Sequence, residues 1–96
     1  MKVVVSYDVA TSEEGGIRRL RLVAKECVNY GQRVQNSVFE CIVDPSQFEE
    51  LKHRLLKIAN LEVDSICFYF LGNNWKNRVE YHGAKRNIDV NDPLIL

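Results

Sequence analysis

VVVSYDVATSEEGG, residues 3–16, is the stretch on which the reading of the fold turns. Its first half is three valines followed by Ser6, Tyr7 and Asp8. The run is short and β-branched, so residues 1–8 read as a central strand buried on both faces. The second half reads as a connection. Thr11-x-x-Glu14 has the spacing of a capping box, but Gly15-Gly16 directly after it weakens a helix there. The first helix is therefore expected to start somewhere from Ser12 to Gly16. Asp8 closes the strand, and a carboxylate in that place is costly to desolvate unless something pairs with it.

Beyond Gly16, Ile17, Leu20, Ala24, Cys27 and Val28 fall on one face at helical spacing, while Arg18, Arg21 and Lys25 share another. Gly31 reads as the helix stop. Residues 33–43 are rich in strand formers. Asn36-Ser37 within them fits either a tight turn between two strands or a bend inside one. Asp44-Pro45 is a helix start, with Asp as N-cap, Pro at the first helical position and Gln47 three residues on from the cap. Phe48, Leu51, Leu55 and Ile58 make the apolar stripe of this second helix, expected to end near Asn60. Residues 65–71 are the next strand, and Arg78-Val79-Glu80-Tyr81 alternates like an edge strand.

The order β-α-β-β-α-β predicts an α+β, ferredoxin-like (βαββαβ) fold: an antiparallel sheet with two helices on one face, in one domain over residues 1–96. Apolar Leu94-Ile95-Leu96 at the C-terminus needs burial. A sheet edge, on this chain or on a partner in a dimer, is where such a strand goes.

The composition excludes some functions. A length of 96 residues with 46% hydrophobic and 27% charged residues is ordinary for a soluble globular domain. Lys2 followed by valines, Ser6 and Asp8 does not make a signal peptide, and no apolar run nears the ~18 residues of a membrane span. Cys27, Cys41 and Cys67 lack zinc-ligand spacing and read as reduced core thiols of a cytoplasmic protein. Thirteen basic and thirteen acidic residues cancel, yet they are segregated. Arg18, Arg19, Arg21, Lys25 and Arg33 face only Glu26 over residues 17–36. Residues 37–50 carry four acids and no base, and residues 76–86 turn basic again.

The residues that could do chemistry each have a plain reading beside a functional one. Asp8 is either an acceptor for nearby backbone or a ligand for a hard cation such as magnesium or manganese. One carboxylate per chain is few for a cation, but two copies meeting at a two-fold axis would supply a pair. The helix arginines are either a solvated face or forks for phosphate oxygens, and Arg33 could join that surface. His53 and His82 are the only imidazoles, and Trp75 could stack on a base or simply pack. No nucleophile elbow, P-loop or dinucleotide fingerprint is present.

Three passages resemble a known family. Val5-Ser6-Tyr7-Asp8-Val9 is an apolar strand ending in Tyr-Asp. Gly15-Gly16-Ile17-Arg18-Arg19-Leu20-Arg21 carries the helix arginines. Gly31-Gln32-Arg33-Val34-Gln35-Asn36-Ser37-Val38-Phe39-Glu40 is close to an Arg-x-Gln-x-Ser-Val-Phe signature. Together, and in this order over nearly the whole chain, they resemble the second core CRISPR-associated protein family, the small subunit of spacer acquisition. Leu71-Gly72-Asn73-Asn74 and Asp92-Pro93-Leu94 look like the subtype I-C group.

The resemblance implies a ferredoxin-like homodimer in which Asp8 of both chains faces the dimer axis and binds a divalent metal, Mg²⁺ or Mn²⁺. It implies that Tyr7, Arg19, Arg21, Arg33, Ser37 and Phe39 serve activity or substrate contact. It further implies a metal-dependent endonuclease acting on double-stranded DNA or single-stranded RNA, bound to the CRISPR integrase subunit and to no membrane. Two rivals are a non-catalytic DNA-binding scaffold bridging the integrase subunits and a related toxin-like ribonuclease. A small-molecule-binding regulatory domain is a third.

Overall fold

A computed structural model of the chain describes residues 1–72 and 78–84. The elements run β1 (Lys2–Asp8), α1 (Gly16–Cys27), β2 (Gly31–Gln35), β3 (Val38–Ile42), α2 (Pro45–Ile58), β4 (Ser65–Leu71) and β5 (Val79–Gly83). They form one antiparallel sheet in the order β2-β3-β1-β4-β5, the ferredoxin-like arrangement with β5 added at one edge. The expectations for Trp75, Asn73-Asn74, Lys76, Lys85, Arg86 and the apolar tail, 88–96, lie outside the described residues.

The valines of β1 sit at the centre, between β3 and β4, with Val3, Val4 and Val5 all buried. Alternation then sorts the two faces of the sheet. Val3, Val5 and Tyr7 join Phe39, Cys41, Ile66, Phe68 and Phe70 beneath Leu20, Val23, Ala24 and Cys27 of α1 and Phe48, Leu51 and Leu55 of α2. Both helices therefore cover one face. Phe48 meets Phe68 and Phe70 edge-on, at centroid distances of 5.2 and 4.9 Å. Lys2, Val4, Ser6 and Asp8 belong to the other face. Among the described residues no helix is long and apolar enough to cross a membrane.

Several local readings change in the folded chain. The Thr11 capping box is not used: Gly15 is the N-cap of α1 and no side chain caps it. The buried stripe of α1 is Gly16, Leu20, Val23, Ala24 and Cys27, whereas Ile17 is 71% exposed and Val28 48%. The helix packs on the sheet through positions one step round from the expected stripe, because Arg19 is drawn inward by a buried carboxylate. Asn36-Ser37 is a tight turn joining β2 to β3, and the register also shifts between Arg33 and Gln35. The α2 cap is as expected: Gln47 N donates to the Asp44 carboxylate at 2.7 Å, and Asp44 N donates to the Gln47 side chain at 2.9 Å. The three cysteines are free and buried.

Candidate functional site

The end of β1 splits its two last residues between the faces of the sheet. Tyr7 points under the helices and is buried. Asp8 is exposed on the helix-free face and pairs in register with Ser65 at the start of β4. The connection into α1 is tight. Glu13 N donates to Ala10 O at 3.1 Å and Gly16 N to Glu13 O at 3.1 Å. A Cβ on Gly16 would come 2.3 Å from Ala10 O, so the start of the helix rests on the Ala10 backbone in a space only glycine fits.

Beneath this corner lies Asp64, the residue before β4, with no exposed surface. Its Oδ2 accepts from the Tyr7 hydroxyl, from Arg19 Nε at 2.8 Å and from Asn60 N at 3.1 Å. Its Oδ1 accepts from Ala10 N at 2.9 Å and Arg19 Nη2 at 3.2 Å. Burial opposes the charge on Asp64, but these donors outweigh it and hold the carboxyl down to about 2. For Tyr7, burial first and the Asp64 contact second push the phenol well above its usual range. Arg19 is also raised, by its bonds to Asp64 first.

A second cluster forms where α1 faces β2. A groove of about 580 Å³ there has Leu20 and Ala24 in its wall, Ile17 and Val28 at its margin and Arg21, Lys25 and Arg33 around it. Arg33 Nε donates to Asn36 O at 2.7 Å, and its guanidinium lies 5.6 Å from the centre of the Phe39 ring. Arg21 and Arg33 are both exposed.

The expected site residues thus divide into three groups. Asp8 lies on the helix-free face, opposite Ser65. Tyr7 and Arg19 converge on Asp64. Arg21 and Arg33 share the groove, with the buried Phe39 ring supporting Arg33. Ser37, half-buried in the turn, accepts the Tyr7 backbone N–H at 2.9 Å and so ties the β2–β3 turn to β1. As folded, neither Tyr7 nor Phe39 offers its ring to solvent, and Arg19 spends its guanidinium on Asp64.

Asp64 is the residue that sequence reasoning missed. Its partners Tyr7, Ala10 and Arg19 lie 45 to 57 positions away in the chain. The available signal was an acid set flush against the apolar run 65–71, whose antiparallel pairing with β1 brings it beside Tyr7.

The family model for CRISPR associated protein Cas2 matches residues 1–79, which include every one of these side chains. The chain belongs to the Cas2 family. The CRISPR-associated endonuclease Cas2 of Halalkalibacterium halodurans is 59% identical over 96 residues, the whole of both chains. The CRISPR-associated endoribonuclease Cas2 of Nitratidesulfovibrio vulgaris is 57% identical over all of this chain and 94% of that protein. The crystal structure of Streptococcus pyogenes Cas2 at pH 6.5 superposes with a TM-score of 0.73 at 60% identity, covering 83% of this chain and 96% of the other. The Cas2 match and this superposition place the ferredoxin-like sheet described above among known Cas2 folds.

Proposed function

We propose that this Cas2-family chain is a metal-dependent endonuclease that works as a homodimer and as a structural subunit of CRISPR spacer acquisition. The observation that carries the reading is Asp8, an exposed carboxylate at the end of the central strand, directly after a Tyr7 that is locked in place. Relatives more than half identical over 94% or more of their length are named endonuclease and endoribonuclease.

The donor set fits a shared cation. Among the described residues no three His, Cys, Asp or Glu side chains gather into a ligand group, so at this strand end one copy brings the single carboxylate of Asp8. Magnesium keeps several waters and needs one or two carboxylates, which two copies of Asp8 would supply. The helix-free face on which Asp8 sits also exposes apolar Ile42 and Leu71, which supports its meeting a second copy. The metal, when bound, would activate water and offset phosphate charge. The chain's own contribution is to place the Asp8 carboxylates, while Arg21 and Arg33 bind backbone phosphates by their forks. Contacts of that kind position a nucleic acid without reading its sequence, so cleavage is of low sequence preference. The subtype I-C reading rests on Leu71-Gly72-Asn73-Asn74 and Asp92-Pro93-Leu94.

The test is cleavage of matched single-stranded RNA and double-stranded DNA by wild type and Asp8→Asn, each with Mg²⁺, with Mn²⁺ and with chelator. The expected result is metal-dependent cleavage lost in Asp8→Asn. Equal cleavage by the two proteins sinks the assignment. The scaffold reading, in which the dimer holds DNA and the integrase subunit without cutting, draws on the placement of the Arg21–Arg33 groove away from the face that bears Asp8. Spacer acquisition in cells by Asp8→Asn separates the two: undiminished acquisition favours the scaffold.

A further inference from the structure

The Asp64 carboxylate has an arrangement that stability alone does not call for. Replacing a buried ion pair by well-packed apolar groups is often neutral or stabilising, so such a pair is weak evidence of a stabilising role. What Asp64 does have is an unusual choice of partners. It holds Tyr7 by the hydroxyl and Ala10 by the backbone N–H. These two residues bracket Asp8 and Val9. On the other side, Asp64 directly precedes Ser65, the in-register partner of Asp8. Its own backbone is fixed as well: Asp64 N donates to Asn60 O at 2.7 Å, and Ala84 N donates to Asp64 O at 2.8 Å. Arg19 then closes the arrangement with two bonds, one to each carboxylate oxygen.

We propose that Asp64 is the positioning residue of Asp8. Through Tyr7 and Ala10 it fixes the strand end that carries the Asp8 carboxylate, and Arg19 serves in that clamp instead of on a phosphate. The inference rests on the reading of Asp8 as the group that holds the metal. Its physical basis is that a reacting constellation tolerates little error: misplacement by about 1 Å can lower a rate by about 100-fold. Asp64 holds the chain on both sides of Asp8, and so sets the position from which its carboxylate extends. Asp64 touches neither metal nor substrate and acts only through the residues on either side of Asp8.

The experiment compares wild type, Asp8→Asn, Asp64→Asn, Tyr7→Phe and Val43→Ala. Asp64→Asn keeps the shape but offers an N–H₂ group where the clamp needs an acceptor. Tyr7→Phe removes one bond of the clamp and leaves the ion pair. Val43 is a core residue whose backbone N–H bonds to Met1 O, at the opposite end of β1, and it serves as a control for lost stability. Two quantities are read. One is kcat and KM for the nucleic acid that wild type cleaves, well below the unfolding temperature of each variant. The other is hydrogen exchange of the Val9 and Ala10 amides in metal-free protein.

The expected result is that Asp64→Asn lowers kcat by about tenfold or more with KM within about twofold. Val9 and Ala10 lose protection while the β1 amides of Val3–Val5 keep theirs. Tyr7→Phe shows the same pattern more weakly, and Val43→Ala shows neither effect. Wild-type kcat in Asp64→Asn overturns the proposal, as does unchanged exchange at Val9 and Ala10. So does a Val43→Ala variant that loses as much kcat at a similar unfolding temperature. If Asp64→Asn does not fold, Tyr7→Phe carries the decision by the same two readings. Failure of the underlying reading shows separately, as an Asp8→Asn variant that cleaves like wild type.

Discussion

At the scale of single residues, the question raised by Asp8 has its answer at the start of the neighbouring strand, in the residue before Ser65. The costly buried carboxylate at this corner is Asp64, and its partners are within the chain. That has a consequence for acid stability. The folded Asp64 carboxyl lies at about 2, below the ordinary value of 3.8. A group with a depressed folded pKa contributes stability that is present above its unfolded pKa and lost as pH falls through the folded one. The stability linked to ionisation of Asp64 is therefore full above about pH 4 and lost below about pH 2, a pH-dependent part on the order of 2 kcal/mol. Thermal unfolding followed from pH 5 to pH 2 should show a steep fall in wild type. Asp64→Asn should start lower and fall less, because its amide does not titrate. Parallel curves for the two proteins would mean that other carboxylates cause the acid loss.

At the scale of elements, what could be read from sequence was what repeats locally. The valines of β1, the Asp44–Gln47 cap of α2 and the apolar run of β4 all carry their signal within a few residues. What escaped reading is set by contacts across the sheet. Ile17 looked like core by spacing, yet it stands at the margin of a groove, since the face that α1 buries is decided partly by Arg19 reaching Asp64. Gly31 looked like a helix stop, yet α1 ends at Cys27 and Gly31 opens β2. A Cβ there would lie 1.8 Å from Glu40 O on β3, so glycine is required for the two strands to pair. Gly31→Ala must push the β2 edge outward, at a cost of about 1–3 kcal/mol. The expected drop in unfolding temperature is about 4–8 °C for each kcal/mol in a domain of this size. Loss of exchange protection should centre on β2 and β3 and spare β4. An unfolding temperature within 2 °C of wild type would show that the edge relaxes freely.

At the scale of the whole molecule, a net charge of zero conceals a division between surfaces. The carboxylate of Asp8 lies on the helix-free face, and the cations of α1 and β2 surround the groove on the helix side. Not every arginine of the cluster is available there. Arg19 is neutralised by Asp64, whereas Arg21 and Arg33 are exposed. Binding to nucleic acid should follow the same division. Each phosphate neutralised adds about 0.9 to the slope of log affinity against log salt for a duplex, and about 0.7 for a single strand. Arg21→Ala combined with Arg33→Ala should weaken binding to all sequences alike and reduce that slope by about 2 per chain. Arg54→Ala removes one positive charge from α2, but that charge is paired with Glu26 at 3.4 Å and Glu50 at 2.9 Å, so the variant should leave the slope close to wild type. Fluorescence anisotropy titrations between 50 and 300 mM salt read both variants. If Arg54→Ala flattens the slope as much as the groove variant, binding follows overall charge and the groove is not the contact surface.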